Sequence, residues 1–173
     1  MFINQRQGCR SKLVAPPKGK KVSESSMITS RLLLQTDANV MGNVFGGAIM
    51  RYMDEIAGIV AFRHAEKNCV TASIDRMNFW APAYVGNILI LKASVNYVGR
   101  SSMEVGVRIE AQDWKTGKVS HTGSCYLTFI ALDSRGKPTA VPRLTLETDE
   151  EKRRFKEGLA RRQLREAEAT ALQ

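Results

Sequence analysis

One helix-length apolar run, followed by four strand-like runs with short turns between them, leaves this chain few ways to fold. From Gly47 to His64, Ile49, Met53, Ile56 and Val60 fall on one stripe at steps of four, three and four. Such a helix is about 27 Å long. Ile59 and Phe62 widen its apolar surface, so it is expected to be mostly buried. The strand-like runs are Cys69–Phe79, Asn87–Val98, Met103–Ala111 and Val119–Leu132. The third alternates cleanly, with Met103, Val105, Val107, Ile109 and Ala111 on one face and Glu104, Gly106, Arg108 and Glu110 on the other. "GRSS" at Gly99–Ser102 and "DWKTGK", with Gly117, supply hairpin-length turns. Ser26–Gln35 reads as an earlier strand and Asp37–Gly47 as a loop. Short turns make an antiparallel sheet, and a largely apolar helix laid on one face buries both. The expected class is α+β, with a curved antiparallel sheet wrapped around one long central helix and a further helix at the C-terminus.

The 173 residues suffice for one domain with tails. The 43% hydrophobic and 25% charged fractions are ordinary for a globular chain. Nothing approaches the roughly 20 apolar residues of a membrane span, and the N-terminus lacks the apolar run of a signal peptide. A cytoplasmic location without membrane partners is therefore expected. Cys9, Cys69 and Cys125 lie far apart, which argues against a disulfide framework or a structural zinc; Cys69 and Cys125 read as small buried hydrophobes. The formal charge of +9 suggests nucleic acid, but its distribution weakens that suggestion. Six basic residues (Arg6, Arg10, Lys12, Lys18, Lys20, Lys21) and no acid lie in 1–21, leaving only +3 for the rest. Residues 1–25 are read as a basic, disordered leader, 26–142 as the domain, and 143–173 as a charged C-terminal helix. Met27 is an alternative start. From Glu147 to Leu172 seven acids and seven bases suggest a solvated helix that packs, if anywhere, on a neighbouring subunit.

The chemistry centres on a carboxylate pair, Asp54 and Glu55, within the apolar helix. Asp54 has two readings: it faces water or pairs with Arg51 three residues earlier, or it points into a pocket. Small residues on its face, among them Gly47, Ala57, Gly58 and Ala61, leave room for a ligand or a second helix. Gly46 and Gly47 at the helix start bring bare N–H groups to a site where the helix dipole favours negative charge. Donors for an oxyanion and a nearby carboxylate are what acyl hydrolysis needs. Asp54 lies about 10 Å along the axis from Gly47, too far for one helix to act on one carbonyl, so the donors fit better from a second subunit. No G-x-S-x-G elbow supports a serine triad. His64 is read as favourable to the dipole at the helix C-terminus, His121 as a partnered structural residue, and "MNFWAP" (Met77–Pro82) as core or pocket wall.

The segments "DANVMGNVFGGAIMRYMDEIAG", "VTASIDRMNFWAP" and "VNYVGRSSMEVGVRIEAQD" together resemble the hotdog-fold acyl-CoA thioesterases, in particular the cytosolic acyl-CoA hydrolases in a short bacterial single-domain form. The likeness covers about 26–142. It implies hydrolysis of acyl-CoA to CoA and a carboxylic acid, with catalytic Asn39 and Asp54 contributed by opposite subunits of a dimer. Asn43 ranks lower than Asn39. Where the family often has His, this chain has Phe45. The resemblance implies Asp54 as general base, with direct attack through an anhydride as the alternative, and Asn39 orienting water or donating to the carbonyl oxygen. Backbone N–H groups of Gly46 and Gly47 would complete the oxyanion site, and Arg100, Ser101 and Ser102 would lie near the CoA phosphates. No metal or resident cofactor is implied, CoA being part of the substrate, and the assembly expected is a homodimer or a trimer of dimers. A non-catalytic acyl-CoA-binding regulatory protein is the competing class. A dehydratase would want a His with an acid in the pocket.

Overall fold

The computed structural model describes residues 18–171. Chain order is β1 (Lys20–Lys21), β2 (Met27–Leu32), α1 (Gly46–Ala65), β3 (Asn68–Phe79), β4 (Ile88–Val98), β5 (Ser102–Gln112), β6 (Val119–Leu132), β7 (Leu144–Thr145) and α2 (Asp149–Ala171). Five strands form one antiparallel sheet in the order β2-β4-β5-β6-β3. β3 to β6 follow the expected strand-like runs within a residue at each end, whereas β2 stops at Leu32, short of the expected Gln35. Turn chemistry explains the hairpins: Asp113 Oδ1 accepts the N–H groups of Lys115 and Thr116 ahead of Gly117, whose φ is 72°.

α1 lies on the inner face. Its stripe of Ile49, Met53, Ile56 and Val60 is buried against Leu89, Leu91, Val105, Leu127 and Phe129. Each such side chain contributes roughly 1.5–3 kcal/mol through burial. One expectation needs correction: Ile59 and Phe62 are exposed, as is Met50, because nothing among the described residues covers that side of the helix. Cys69 and Cys125 are buried, as expected, and burial pushes both thiols up to about 11.

The domain starts earlier than the reading of 1–25 as a disordered leader had it. Lys20–Lys21 pair in parallel with Leu144–Thr145, and Val22 and Ser25 are buried. Lys20 reaches Glu66 at 2.7 Å, and Lys21 reaches Glu147 at 2.6 Å. Arg6, Cys9, Arg10 and Lys12 lie outside the described residues.

His64 also departs from expectation. It is buried, with Nε2 donating to the Pro142 carbonyl at 2.9 Å and Nδ1 facing the Ser25 hydroxyl at 3.4 Å. Burial, only partly opposed by the Pro142 carbonyl, holds the imidazole below its usual pKa, so it joins three segments as a neutral group rather than serving the dipole as a cation. An unfolded His takes up a proton near pH 6.5, and the folded one resists it. The stability from this group is therefore present above about pH 6.5 and declines as pH falls toward the folded value. Thermal unfolding should show a lower Tm at pH 5.5 than at pH 7.5, with the difference diminished in His64→Gln. An equal difference in that variant would exclude His64 as its source.

α2 packs on the outer face of its own sheet rather than standing in solvent. Arg161 pairs with buried Glu104 at 2.7 Å, Arg165 with Asp75 at 2.6 Å, and Phe155 tilts against Tyr97 with ring centroids 5.0 Å apart. Contact is close enough that a Cβ on Gly158 would sit 2.8 Å from the Tyr97 Cβ, so a side chain there would push the helix off the sheet.

Candidate active site

Asp54 is half-buried in the middle of α1, and its Oδ1 accepts a hydrogen bond of 2.7 Å from the Thr71 hydroxyl on β3. Among the described residues no cation lies within 4.0 Å of it. Arg51, the candidate ion-pair partner, instead donates to the Tyr52 hydroxyl at 2.9 Å. Glu55 is exposed. β3 is one edge of the sheet, so the Asp54–Thr71 pair lies where a second chain could approach.

Asn39 stands in a small hairpin between Asp37 and the start of α1. The Asp37 carbonyl accepts the Phe45 N–H at 2.7 Å, and the Asn39 N–H donates to the Asn43 carbonyl at 2.6 Å. Gly42, with φ 80°, supplies the turn. The Asn39 side-chain oxygen accepts the N–H groups of Met41 (2.9 Å) and Asn43 (3.1 Å). That fixes the carboxamide and leaves its NH₂ with no acceptor among the described residues. Asn43 instead bridges to Tyr84 through its backbone.

The hairpin leads directly into α1. Gly46 and Gly47 are its first residues, and neither N–H has an acceptor among the described residues, as the first turn of a helix requires. A Cβ on Gly47 would collide with the exposed Phe45 ring, which would have to swing aside. Asn39, Gly46 and Gly47 thus belong to one end of α1, and Asp54 to its middle.

Arg100, Ser101 and Ser102 lie at the β4–β5 turn. The Arg100 and Ser101 carbonyls accept the N–H groups of Val141 and Ala131, and the Arg100 side chain is exposed. No hydrogen bond joins this turn to Asp54 or Asn39 within the described residues. His121 is partnered, as expected, by the Gly123 carbonyl at 2.9 Å and Ser124 Oγ at 3.0 Å, with Trp80 tilted over it.

The sequence reading missed three residues. Thr71 was only one polar position in an edge strand. Buried Asp37 and Tyr52 hydrogen-bond side chain to side chain across the base of the Asn39 hairpin. An Asp ahead of an Asn-Gly-rich loop reads as an ordinary turn residue, so only its burial reveals it.

Asp54 lies on an open side of the described residues. Cavities of about 410 and 210 Å³ lie instead beneath α2, and Asp54 lines neither. Phe45, Met50, Ile59 and Phe62 on the α1 side, and Val70, Ile74, Phe79 and Trp80 on the β3 side, are exposed. Phe79 and Trp80 are therefore not core of this chain, though they remain available as a wall. An apolar surface this extensive marks an interaction face.

A family model described as "Thioesterase superfamily" matches residues 41–118. A Bacillus subtilis protein named as an uncharacterized acyl-CoA thioester hydrolase is 39% identical over 135 residues, covering 78% of each chain. The crystal structure of an apo-hexameric acyl-CoA thioesterase superposes with a TM-score of 0.85 at 40% identity, covering 88% of this chain and 98% of that one. The Staphylococcus aureus acyl-CoA hydrolase, solved in complex with butyryl coenzyme A, coenzyme A and coenzyme A disulfide, superposes with a TM-score of 0.80 at 40% identity, covering 88% and 95%. That hydrolase has also been solved as alanine variants of an aspartate, an asparagine and a threonine. Similarity of this extent, on a sheet wrapped around one helix, places the chain in the hotdog-fold acyl-CoA thioesterase family.

Proposed function

We propose that the protein hydrolyses acyl-CoA thioesters at a site between two subunits. One subunit supplies Asp54 and Thr71; the other supplies Asn39 and the N–H groups of Gly46 and Gly47. The observation that carries this is the isolation of Asp54: a half-buried carboxylate held by one hydroxyl, with no cation beside it among the described residues, on an exposed apolar face. In the S. aureus hydrolase the replaced asparagine, aspartate and threonine stand at successive intervals of 15 and 17 residues. Asn39, Asp54 and Thr71 stand at the same intervals, which supports their grouping.

Asp54 accepts a proton from water as that water attacks the thioester carbonyl. The Thr71 hydroxyl orients the carboxylate. The carbonyl oxygen becomes an oxyanion, stabilised by the free N–H groups at the start of α1 and by the Asn39 NH₂. Collapse breaks the C–S bond; the CoA thiolate takes the proton back from Asp54, leaving free CoA and a carboxylic acid. Arg100, Ser101 and Ser102 suit the CoA phosphates because the guanidinium is exposed on a hydroxyl-bearing turn. The second subunit covers the apolar face of α1 and β3, and hexamer formation by trimerisation of dimers fits the hexameric relative. Among the described residues no helix is long and apolar enough to cross a membrane; a cytoplasmic enzyme is proposed.

A thiol-release assay across acyl-CoAs of increasing chain length tests the activity. Steady release of CoA is expected, and Asn39→Ala should lower kcat by about a hundredfold, the typical cost of one oxyanion donor. Stoichiometric acyl-CoA binding without thiol release would identify a binding protein instead.

A further inference from the structure

We infer that Asp37 and Tyr52 act as a clamp that positions Asn39 for the reaction. The inference rests on the role proposed above for Asn39. Both residues are buried, at 5% and 3% exposure, so neither is a contact for substrate. Asp37 stands at the base of the hairpin that presents Asn39, and Tyr52 bonds it there. Asp37 Oδ2 accepts the Leu34 N–H at 2.9 Å, its Oδ1 accepts the Tyr52 hydroxyl, and its carbonyl accepts the Phe45 N–H at 2.7 Å. One residue therefore ties the strand end, the helix start and the body of α1 to the base of the Asn39 hairpin.

Tyr52 is itself fixed from the other side. Arg51 donates to its hydroxyl at 2.9 Å, and the Arg31 guanidinium lies 3.6 Å from its ring centroid. Burial opposes ionisation of Asp37, but the Tyr52 hydroxyl, the Leu34 N–H and the two arginines hold its carboxyl below the usual range. A buried carboxylate so satisfied is a rigid joint, because breaking one partner leaves charge unsatisfied.

The loop is also anchored through its second half: Val44 N–H donates to the Ala83 carbonyl at 3.0 Å, and Asn43, itself bonded to Asn39, bridges to Tyr84. Asn39 lies in the first half, two residues after Asp37. Tyr52 lies two residues before Asp54 on the same helix. The clamp therefore sets the Asn39 amide in the frame of α1, and two-fold symmetry carries that frame to the partner's α1.

The test is a double-mutant cycle in thiol release, with kcat and KM measured well below the melting temperature. Tyr52→Phe keeps the ring and removes only the hydroxyl. It should lower kcat by about tenfold or more while leaving KM within about twofold, as misplacement of a catalytic group does. In the Asn39→Ala background the same change should cost less than about twofold, because the group it positions is gone. An equal loss in both backgrounds, or a wild-type kcat in Tyr52→Phe, overturns the clamp while leaving Asn39 in place. A wild-type kcat in Asn39→Ala alone removes the Asn39 role itself and with it the clamp's purpose. Should Tyr52→Phe not fold, Asp37→Asn enters the same cycle under the same criteria.

Discussion

Asp54→Ala is expected to slow thiol release from acyl-CoA by at least about a hundredfold, the usual cost of removing a general base, and co-assembly with Asn39→Ala protein should bring part of the rate back. Each variant alone has every site defective. In a mixed dimer, one site combines the intact Asp54 of one chain with the intact Asn39 of the other, and the second site carries both defects. Random pairing at equal amounts makes half of the dimers mixed, so the mixture should regain about a quarter of the wild-type rate, as two-fold symmetry dictates. A site built within one chain would regain nothing. Asp54→Asn sharpens the result: it retains an acceptor for the Thr71 hydroxyl and loses only the ability to take a proton. Its rate should fall as far as that of Asp54→Ala. A rate within a few-fold of wild type in either variant removes Asp54 as the base, and failure to regain activity on mixing removes the shared site.

What the sequence disclosed about this fold was periodicity. Alternation at steps of two marked β5 because one face of that strand is packed against α1. The spacing of Ile49, Met53, Ile56 and Val60 marked the buried side of the helix for the same reason. Periodicity reports which side chains are apolar, not what covers them. Ile59 and Phe62 read as core yet are exposed in one chain, and the Asp54 carboxylate lies on the same helix. Partners distant in sequence were equally invisible. Thr71 meets Asp54 only because β3 returns along α1, and Asp37 meets Tyr52 only because the loop folds back onto the helix. Lys20 and Lys21 looked like part of a charged tail because the short pairing with β7 leaves no pattern in two residues. Asn39, Asp54, Gly46 and Gly47 were singled out as candidates by residue type and resemblance; the structure adds that Asn39 and the glycines share one end of α1.

α2 presents the opposite problem, since it docks through charge rather than apolar surface, and this leads to the largest stability effect expected. Arg161→Ala should destabilise the fold by roughly 3–5 kcal/mol, the cost of stripping one partner from a buried ion pair, which lowers Tm by roughly 10 °C in a chain of this size. Glu104 is only 1% exposed, and Arg161 grips it with Nε at 3.1 Å and Nη2 at 2.7 Å. The guanidinium also stacks on Tyr126, 3.6 Å from its ring centroid, so packing is lost along with charge. Arg165, 3.6 Å from Glu104 but committed to Asp75 at 2.6 Å, can relieve the stranded carboxylate only in part. Arg153 provides the contrast: it pairs with Glu150 and Glu157 at 2.7 and 2.6 Å, as short as the buried contacts, yet it is exposed. Water and salt screen such a pair, so Arg153→Ala should hardly move Tm. If the penalty comes from an unpaired buried charge, replacing both partners, as in Glu104→Leu with Arg161→Met, should recover most of the lost stability. An Arg161→Ala protein that melts with the wild type, or a double variant no more stable than the single one, would show that Phe155 and the close contact at Gly158 hold α2 in place.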